Sequence, residues 1–181
     1  MGRIFILSAV IASFLFISCS KDIPNEEVFD NPLDDEVVEY DFPALTLFPI
    51  QIDATVNSNF KVEIFVMGVE NLAGTYVRLN YDKTMLQVSS AEIGTIFEDA
   101  VQDPAFIYED HNENEWIDIH TSFLGSDSVS ISGTGSLAEI IFTPLLAGES
   151  TLTFDAVCEL VDPDDNSIEI KGFGEGVVNA N

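Results

Sequence analysis

Basic residues are scarce in this sequence: six Lys and Arg stand against 32 Asp and Glu, a formal charge of −26 at pH 7. Such a surface repels nucleic acid and anionic lipid headgroups by long-range Coulomb force, which argues against both as partners. It suits cationic partners or calcium. Cysteine is nearly absent. Of Cys19 and Cys158, the first closes a leader-like segment, so Cys158 has no internal partner and stability must come from a packed core. Trp116 is the only tryptophan, thin material for a platform that stacks on sugar rings. No stretch keeps a helical apolar stripe. The best helical candidate, acidic residues 91–101, offers one or two turns.

What is present begins with a leader. Arg3 supplies a basic start, and residues 4–17 are apolar apart from Ser8 and Ser13. That run is too short to span a bilayer comfortably. It ends in Phe16-Ile17-Ser18-Cys19, a small residue before a cysteine. The arrangement is that of a bacterial lipoprotein leader and resembles the lipobox, with Phe where Leu is usual. Residues 1–18 are therefore expected to be removed and Cys19 lipidated, anchoring the chain to the outer membrane or cell surface. Residues 19–44 read as an acidic, proline-broken flexible tether, too poor in apolar side chains to repay its own ordering. Residues 45–181 suit one domain.

From about Leu45 onward, short β-rich segments alternate with turn residues. Ile52, Ala54 and Val56 share one side of a strand, and Lys61-Val62-Glu63-Ile64-Phe65-Val66 alternates charged with apolar residues. Residues 68–74 punctuate. In the next strand Val77, Leu79 and Tyr81 face one way, and Tyr76, Arg78 and Asn80 the other. Short strands follow at 85–88 and 106–109. In residues 116–123, Ile117, Ile119, Thr121 and Phe123 oppose Trp116, Asp118, His120 and Ser122. Residues 133–136 read as a loop, 137–143 and 150–160 as strands, 162–166 as a turn, and the last strand lies near Gly176-Val177-Val178. Many short strands at regular spacing predict an all-β sandwich or barrel.

Asn71-Leu72-Ala73-Gly74-Thr75-Tyr76-Val77-Arg78-Leu79-Asn80-Tyr81-Asp82 resembles the small-residue turn and amphipathic strand of a cohesin domain, ending in Tyr-Asp. Gly133-Thr134-Gly135-Ser136-Leu137-Ala138-Glu139-Ile140-Ile141-Phe142 resembles a later strand of that family. Gly148-Glu149-Ser150-Thr151-Leu152-Thr153-Phe154 and the Gly176-Val177-Val178 ending also match in order and spacing. The resemblance implies a nine-stranded jelly-roll β-sandwich related to family 3 carbohydrate-binding modules. It implies that one sheet face docks a dockerin, a small calcium-loaded helical module carried by glycoside hydrolases and other envelope proteins. By that resemblance the outward positions of residues 74–80 lie on the docking platform. Well-studied cohesins carry Asn and Asp where this chain has Gly74 and Tyr76, a departure that alters the expected partner contacts.

The candidate binding residues are accordingly Gly74, Tyr76, Arg78, Asn80, Tyr108, Trp116, Asp118 and His120. Aromatics and Arg bury much area at low entropic cost, which suits a docking face. The alternative is a carbohydrate-binding module of the same fold class, with polysaccharide as ligand. Catalysis finds no support. There is no Gly-x-Ser-x-Gly elbow, HExxH motif or Cys/His zinc cluster, and no acidic pair stands out from the rest. Cys158 lies in an apolar run and reads as a small hydrophobe rather than a nucleophile. No cofactor is expected other than calcium. Two loops alternate oxygen ligands, Asp110-x-Asn112-x-Asn114 and Asp162-x-Asp164-x-Asn166, as calcium loops do. Both lack the EF-hand's sixth-position glycine and terminal Glu, and Asx-rich turns share their pattern.

Overall fold

The computed structural model describes residues 41–125 and 129–181. The leader, Cys19 and the tether up to residue 40 lie outside the described residues. The rest forms two β-sheets. One is built from β1 (Ala44–Phe48), β3 (Phe60–Leu72), β5 (Leu86–Ile93), β8 (Ile131–Pro144) and β12 (Gly172–Phe173), in the order β12-β1-β3-β8-β5. The other takes β2 (Gln51–Ala54), β4 (Gly74–Asn80), β9 (Gly148–Phe154), β10 (Glu159–Val161), β11 (Ser167–Ile168) and β13 (Glu175–Ala180), in the order β11-β10-β4-β9-β13-β2. To this sheet β7 (Trp116–Ser122) adds along β4, and β6 (Ala105–His111) along β7. The architecture is the all-β sandwich that the alternation predicts, of the jelly-roll kind that the resemblance implies, with thirteen strands among the described residues in place of the expected nine.

Period-two patterning explains why the sheets close on each other. Val62, Ile64 and Val66 are fully buried on one side of β3, while Lys61 is exposed on the other. Val77 and Leu79 on β4, Ile117 and Ile119 on β7, and Leu152 on β9 answer them from the opposing sheet. Phe142 on β8 lies in this core, stacked on Phe60 and met edge-on by Tyr81.

Several boundaries differ from the sequence reading, each for a local reason. The expected strand 150–160 is two strands, because Asp155 builds a turn. Its carboxylate accepts from the Val157 amide at 3.0 Å and its carbonyl from the Cys158 amide at 3.2 Å. β3 does not stop at Gly68 but runs on through Leu72. Its residues 66–72 carry bulges, with Gly68 at φ +61° and its amide donating to Thr134 Oγ1 at 3.0 Å. Residues 133–136 belong to β8 rather than to a loop, since they pair with that bulged stretch. In place of a helix over 91–101, β5 runs to Ile93 and one 3-10 turn follows at Thr95–Phe97, seating Phe97 in the core. Among the described residues the first strand, β1, starts at the buried Ala44.

Gly94 sits where that turn crosses β8. A side chain there would meet the Ser136 carbonyl oxygen and the Ser136-Leu137 backbone head-on. Backbone cannot move aside as a flexible side chain can. Gly94→Ala is therefore expected to lose about 2–3 kcal/mol through forced backbone displacement, read as a lower urea midpoint.

Candidate functional site

Antiparallel register decides which side chains share the outer face of the second sheet. β4 and β7 pair Tyr76 with His120, Arg78 with Asp118 and Asn80 with Trp116. Directly opposed residues lie on one face. Seven of the eight expected binding residues thus stand together, with Gly74 at the far end opposite Ser122.

These side chains are ordered by one another. Arg78 Nε donates to Asp118 Oδ1 at 2.7 Å, and its Nη2 to Oδ2 at 2.8 Å. The guanidinium carbon lies 4.3 Å from the Trp116 ring centroid and 5.8 Å from that of Tyr76. Tyr76 stacks on His120, with centroids 4.7 Å apart and planes at 12°, and donates its hydroxyl proton to Asp118 Oδ1 at 3.2 Å. Asp118 is only 6% exposed. Burial alone would raise its carboxyl; the two bonds from Arg78, that residue's charge and the Tyr76 hydroxyl outweigh burial and hold it below the usual carboxylate range. Burial and the Asp118 charge push the Tyr76 phenol up, so it stays a proton donor.

Tyr108 is a correction. It pairs with Ile119, whose side chain points into the sandwich, so Tyr108 lies on the opposite face from Arg78. The outer face of β6 instead presents Ile107, Glu109 and His111, opposite His120, Asp118 and Trp116. Ile107 is 64% exposed. His111 Nε2 stands 3.3 Å from Asp118 Oδ2 and 3.7 Å from Glu109 Oε2. Sequence reading missed these three because it ended the strand at 109, assigned Tyr108 to the outer face and took Asp110 onward as a loop. The strand in fact runs through His111, and the turn is the tight 3-10 helix Asn112–Asn114, closed by Glu115 at φ +70°. Counting alternation back from that turn is the signal that finds them.

On the other side of β4, the Cys158 Sγ accepts from the Arg78 amide at 3.3 Å and donates to the Arg78 carbonyl at 3.5 Å. Burial pushes this thiol up. Since the thiolate is the reactive form, Cys158 is expected to alkylate in the native state at least about ten-fold more slowly than in urea; equal rates contradict the placement.

The two candidate calcium loops are built as turns. Asp110 accepts the Tyr81 hydroxyl at 2.5 Å, Asn112 and Asn114 lie in the 3-10 helix, and Lys83 Nζ donates to the Glu113 carbonyl at 2.8 Å. In the second loop Asp162 Oδ1 accepts the amides of Asp164 and Asn166, each at 2.9 Å, and Asn166 Nδ2 donates to Oδ2 at 3.0 Å. Those bonds close the β10–β11 hairpin. Among the described residues no group of three or more His, Cys, Asp or Glu side chains is placed to hold a metal ion.

A cleft of about 660 Å³ opens at the Trp116 end, lined by Asn80, Asp82, Glu115, Trp116 and Asp155 among others. Asp82 spends its carboxylate on the Thr84 amide and hydroxyl, 2.8 and 2.6 Å away.

Comparison with known proteins follows this geometry. The family model described as Cohesin domain matches residues 49–179. No curated protein matches the chain. Among solved structures, a non-cellulosomal cohesin from Archaeoglobus fulgidus is similar at 21% identity and TM-score 0.62, over 76% of this chain and 90% of that one. A type I cohesin–dockerin complex from Clostridium thermocellum gives 18% identity and TM-score 0.62, over 76% and 98%. A type II cohesin–X-dockerin complex from Acetivibrio cellulolyticus gives 18% and 0.64, over 76% and 99%. At these identities the likeness shows the fold.

Proposed function

Because this chain belongs to the cohesin domain family, we propose that it is a binding module that docks a dockerin-like protein through the outer face of β4, β7 and β6, held at the cell envelope by a lipid on Cys19. Dockerin complexes of structurally similar cohesins support the partner class. The anchor, the tether of residues 19–44 and an outer-membrane or surface location rest on the leader and composition alone.

The observation that carries the docking face is its preorganisation. Arg78, Tyr76, Trp116, Asp118 and His120 are held in one connected cluster before any partner arrives. Ordering the side chains in advance lowers the entropic cost of association. Arg78 is the one Lys or Arg on β4, β6 and β7, against Glu109, Asp110 and Asp118 on those strands, with Glu159 opposite Tyr76 on β10. A partner with a cationic surface fits this face, and its association rate is expected to fall as salt rises.

The same contacts weaken the polysaccharide reading. A sugar ring stacks on a free aromatic face, but one Trp116 face lies under the Arg78 guanidinium, and one Tyr76 face is covered by His120. Tyr76→Ala and Trp116→Ala are each expected to weaken partner binding by about 1–3 kcal/mol without unfolding the domain, measured by calorimetric titration. Unchanged affinity in both removes the proposed face.

A further inference from the structure

The two sheets end in five edge strands among the described residues, and four of the five are guarded. An edge strand offers a row of unpaired N–H and C=O groups, which proteins blunt by shortening the strand, bulging it or placing Pro or Lys on it. β11 and β12 hold two residues each, β2 holds four and follows Pro49, and β5 is bulged between Val88 and Ser90. β6 is different. Its seven residues, Ala105–His111, pair with β7 in an unbroken register, and its other side meets no strand of the described residues. It contains neither Pro nor Lys. Residues 107–110 are all exposed, the apolar Ile107 and Tyr108 among them.

Charge around this edge excludes one occupant and selects another. Seven Asp and Glu stand from Glu98 through Glu115, and no Lys or Arg occurs between Lys83 and Lys171. A second copy of a chain at −26 brings the same carboxylates to the edge and is repelled. A strand that carries cations gains the opposite interaction. The pleat sets where those cations fall. Ile107 and Glu109 point to one face of the sheet, Tyr108 and Asp110 to the other. A strand laid antiparallel beside them sets apolar side chains opposite Ile107 and Tyr108, and basic ones opposite Glu109 and Asp110. Read from its N-terminus, such a strand has two basic residues followed by two apolar ones. Asp110 gives Oδ1 to the Tyr81 hydroxyl and has Oδ2 for the added strand.

We propose that the open edge of β6 is a strand-addition site, which takes an extended basic-then-apolar segment of a partner protein along residues 107–110. Main-chain hydrogen bonds to the edge supply the affinity, and the Glu109 and Asp110 carboxylates select the sequence. The site lies at the rim of the sheet that carries Arg78, and it does not depend on the docking of a folded module there.

The probe is the peptide acetyl-Thr-Lys-Lys-Val-Val-Thr-amide, added in excess to the full chain, with amide hydrogen exchange of residues 105–111 followed by NMR. The β6 amides turned away from β7 are expected to exchange at least about ten-fold more slowly with the peptide than without it, as newly bonded edge groups close to water. Two controls separate backbone pairing from charge. The fully N-methylated peptide keeps the charge but has no backbone donors, and a peptide with Glu in place of both Lys keeps the donors but reverses the charge. Neither is expected to slow exchange more than about two-fold. Glu109→Lys, at an exposed position, is expected to weaken binding of the lysine peptide at least about ten-fold with the fold unchanged. No slowing by the lysine peptide, equal slowing by either control, or unchanged affinity in Glu109→Lys overturns the proposal. So does edge protection that is present without peptide and lost on dilution, which assigns the edge to a second copy.

Discussion

Replacing Phe142 with alanine is expected to remove about 3–5 kcal/mol of folding stability, the largest single loss available to a truncation in this core. Phe142 is fully buried near the C-terminal end of β8, paired with Phe60 on β3 and Val88 on β5. It joins both neighbours in its own sheet to Tyr81, which follows β4 in the other. Removing the ring therefore opens a void between the two layers rather than at an edge that could collapse. Against a typical total of about 5–15 kcal/mol the variant is marginal. Urea denaturation followed by fluorescence of Trp116 reads the effect as a lower midpoint at unchanged slope. A loss below about 1 kcal/mol would mean that the layers do not meet there.

Arg78→Ala is expected to have the second largest effect, on both stability and docking. Removing one member of a buried ion pair leaves the other charge without compensation and costs about 3–5 kcal/mol. Arg78's side chain is 22% exposed, so water softens the penalty, and about 2 kcal/mol is the expected loss. Loss of the guanidinium over Trp116 also frees that ring, and partner affinity is expected to fall by about 2 kcal/mol or more, near thirty-fold. Arg78→Ala/Asp118→Asn separates the two effects: it recovers part of the stability and none of the affinity. The pH dependence has a definite sign. The folded-state carboxyl of Asp118 is held low, so the stability it contributes is present above the unfolded value of about 3.9 and is lost as pH falls through the lower folded value. In Arg78→Ala the buried carboxyl accepts a proton more readily. The stability gap between the two proteins is therefore widest near neutral pH and narrows below about pH 4. A gap that stays constant through the acid range contradicts the pairing.

Much of this architecture is legible in the residues. The inward faces of β3, β4 and β7 follow directly from alternation, because burial on one side of a pleated strand imposes a period of two. Val77 with Leu79, and Ile117 with Ile119, are placed correctly by that rule alone. The outward faces of the same two strands follow by complement, which is why Tyr76, Arg78, Trp116, Asp118 and His120 are found together. Their pairing is another matter. That Arg78 meets Asp118 and Tyr76 meets His120 depends on the register between strands some 40 residues apart, and no local pattern carries it. Tyr108 shows the same limit within a hairpin. Ending the strand at 109 and reading Asp110 to Asn114 as a loop hides where β6 ends, and one residue of error moves every side chain to the other face. The 155–158 turn was hidden differently. Ala156, Val157 and Cys158 look strand-like, and only the hydrogen bonds of Asp155 turn the backbone there. Glycines that mark loops elsewhere lie inside β8, where Gly135 takes a paired position beneath Ile96.

Whether the Arg78 face is the docking surface is tested most directly by titrating the isotope-labelled chain with a calcium-loaded dockerin module encoded in the same genome, following every backbone amide by NMR. The account predicts that shifts concentrate on the outward residues of β4, β6 and β7, with Tyr76, Ile107, His111, Trp116 and His120 among them, and leave Glu63 and Glu139 on the opposite sheet untouched. Perturbations centred on the five-stranded sheet, or at the 162–166 turn with the Arg78 cluster silent, would contradict it.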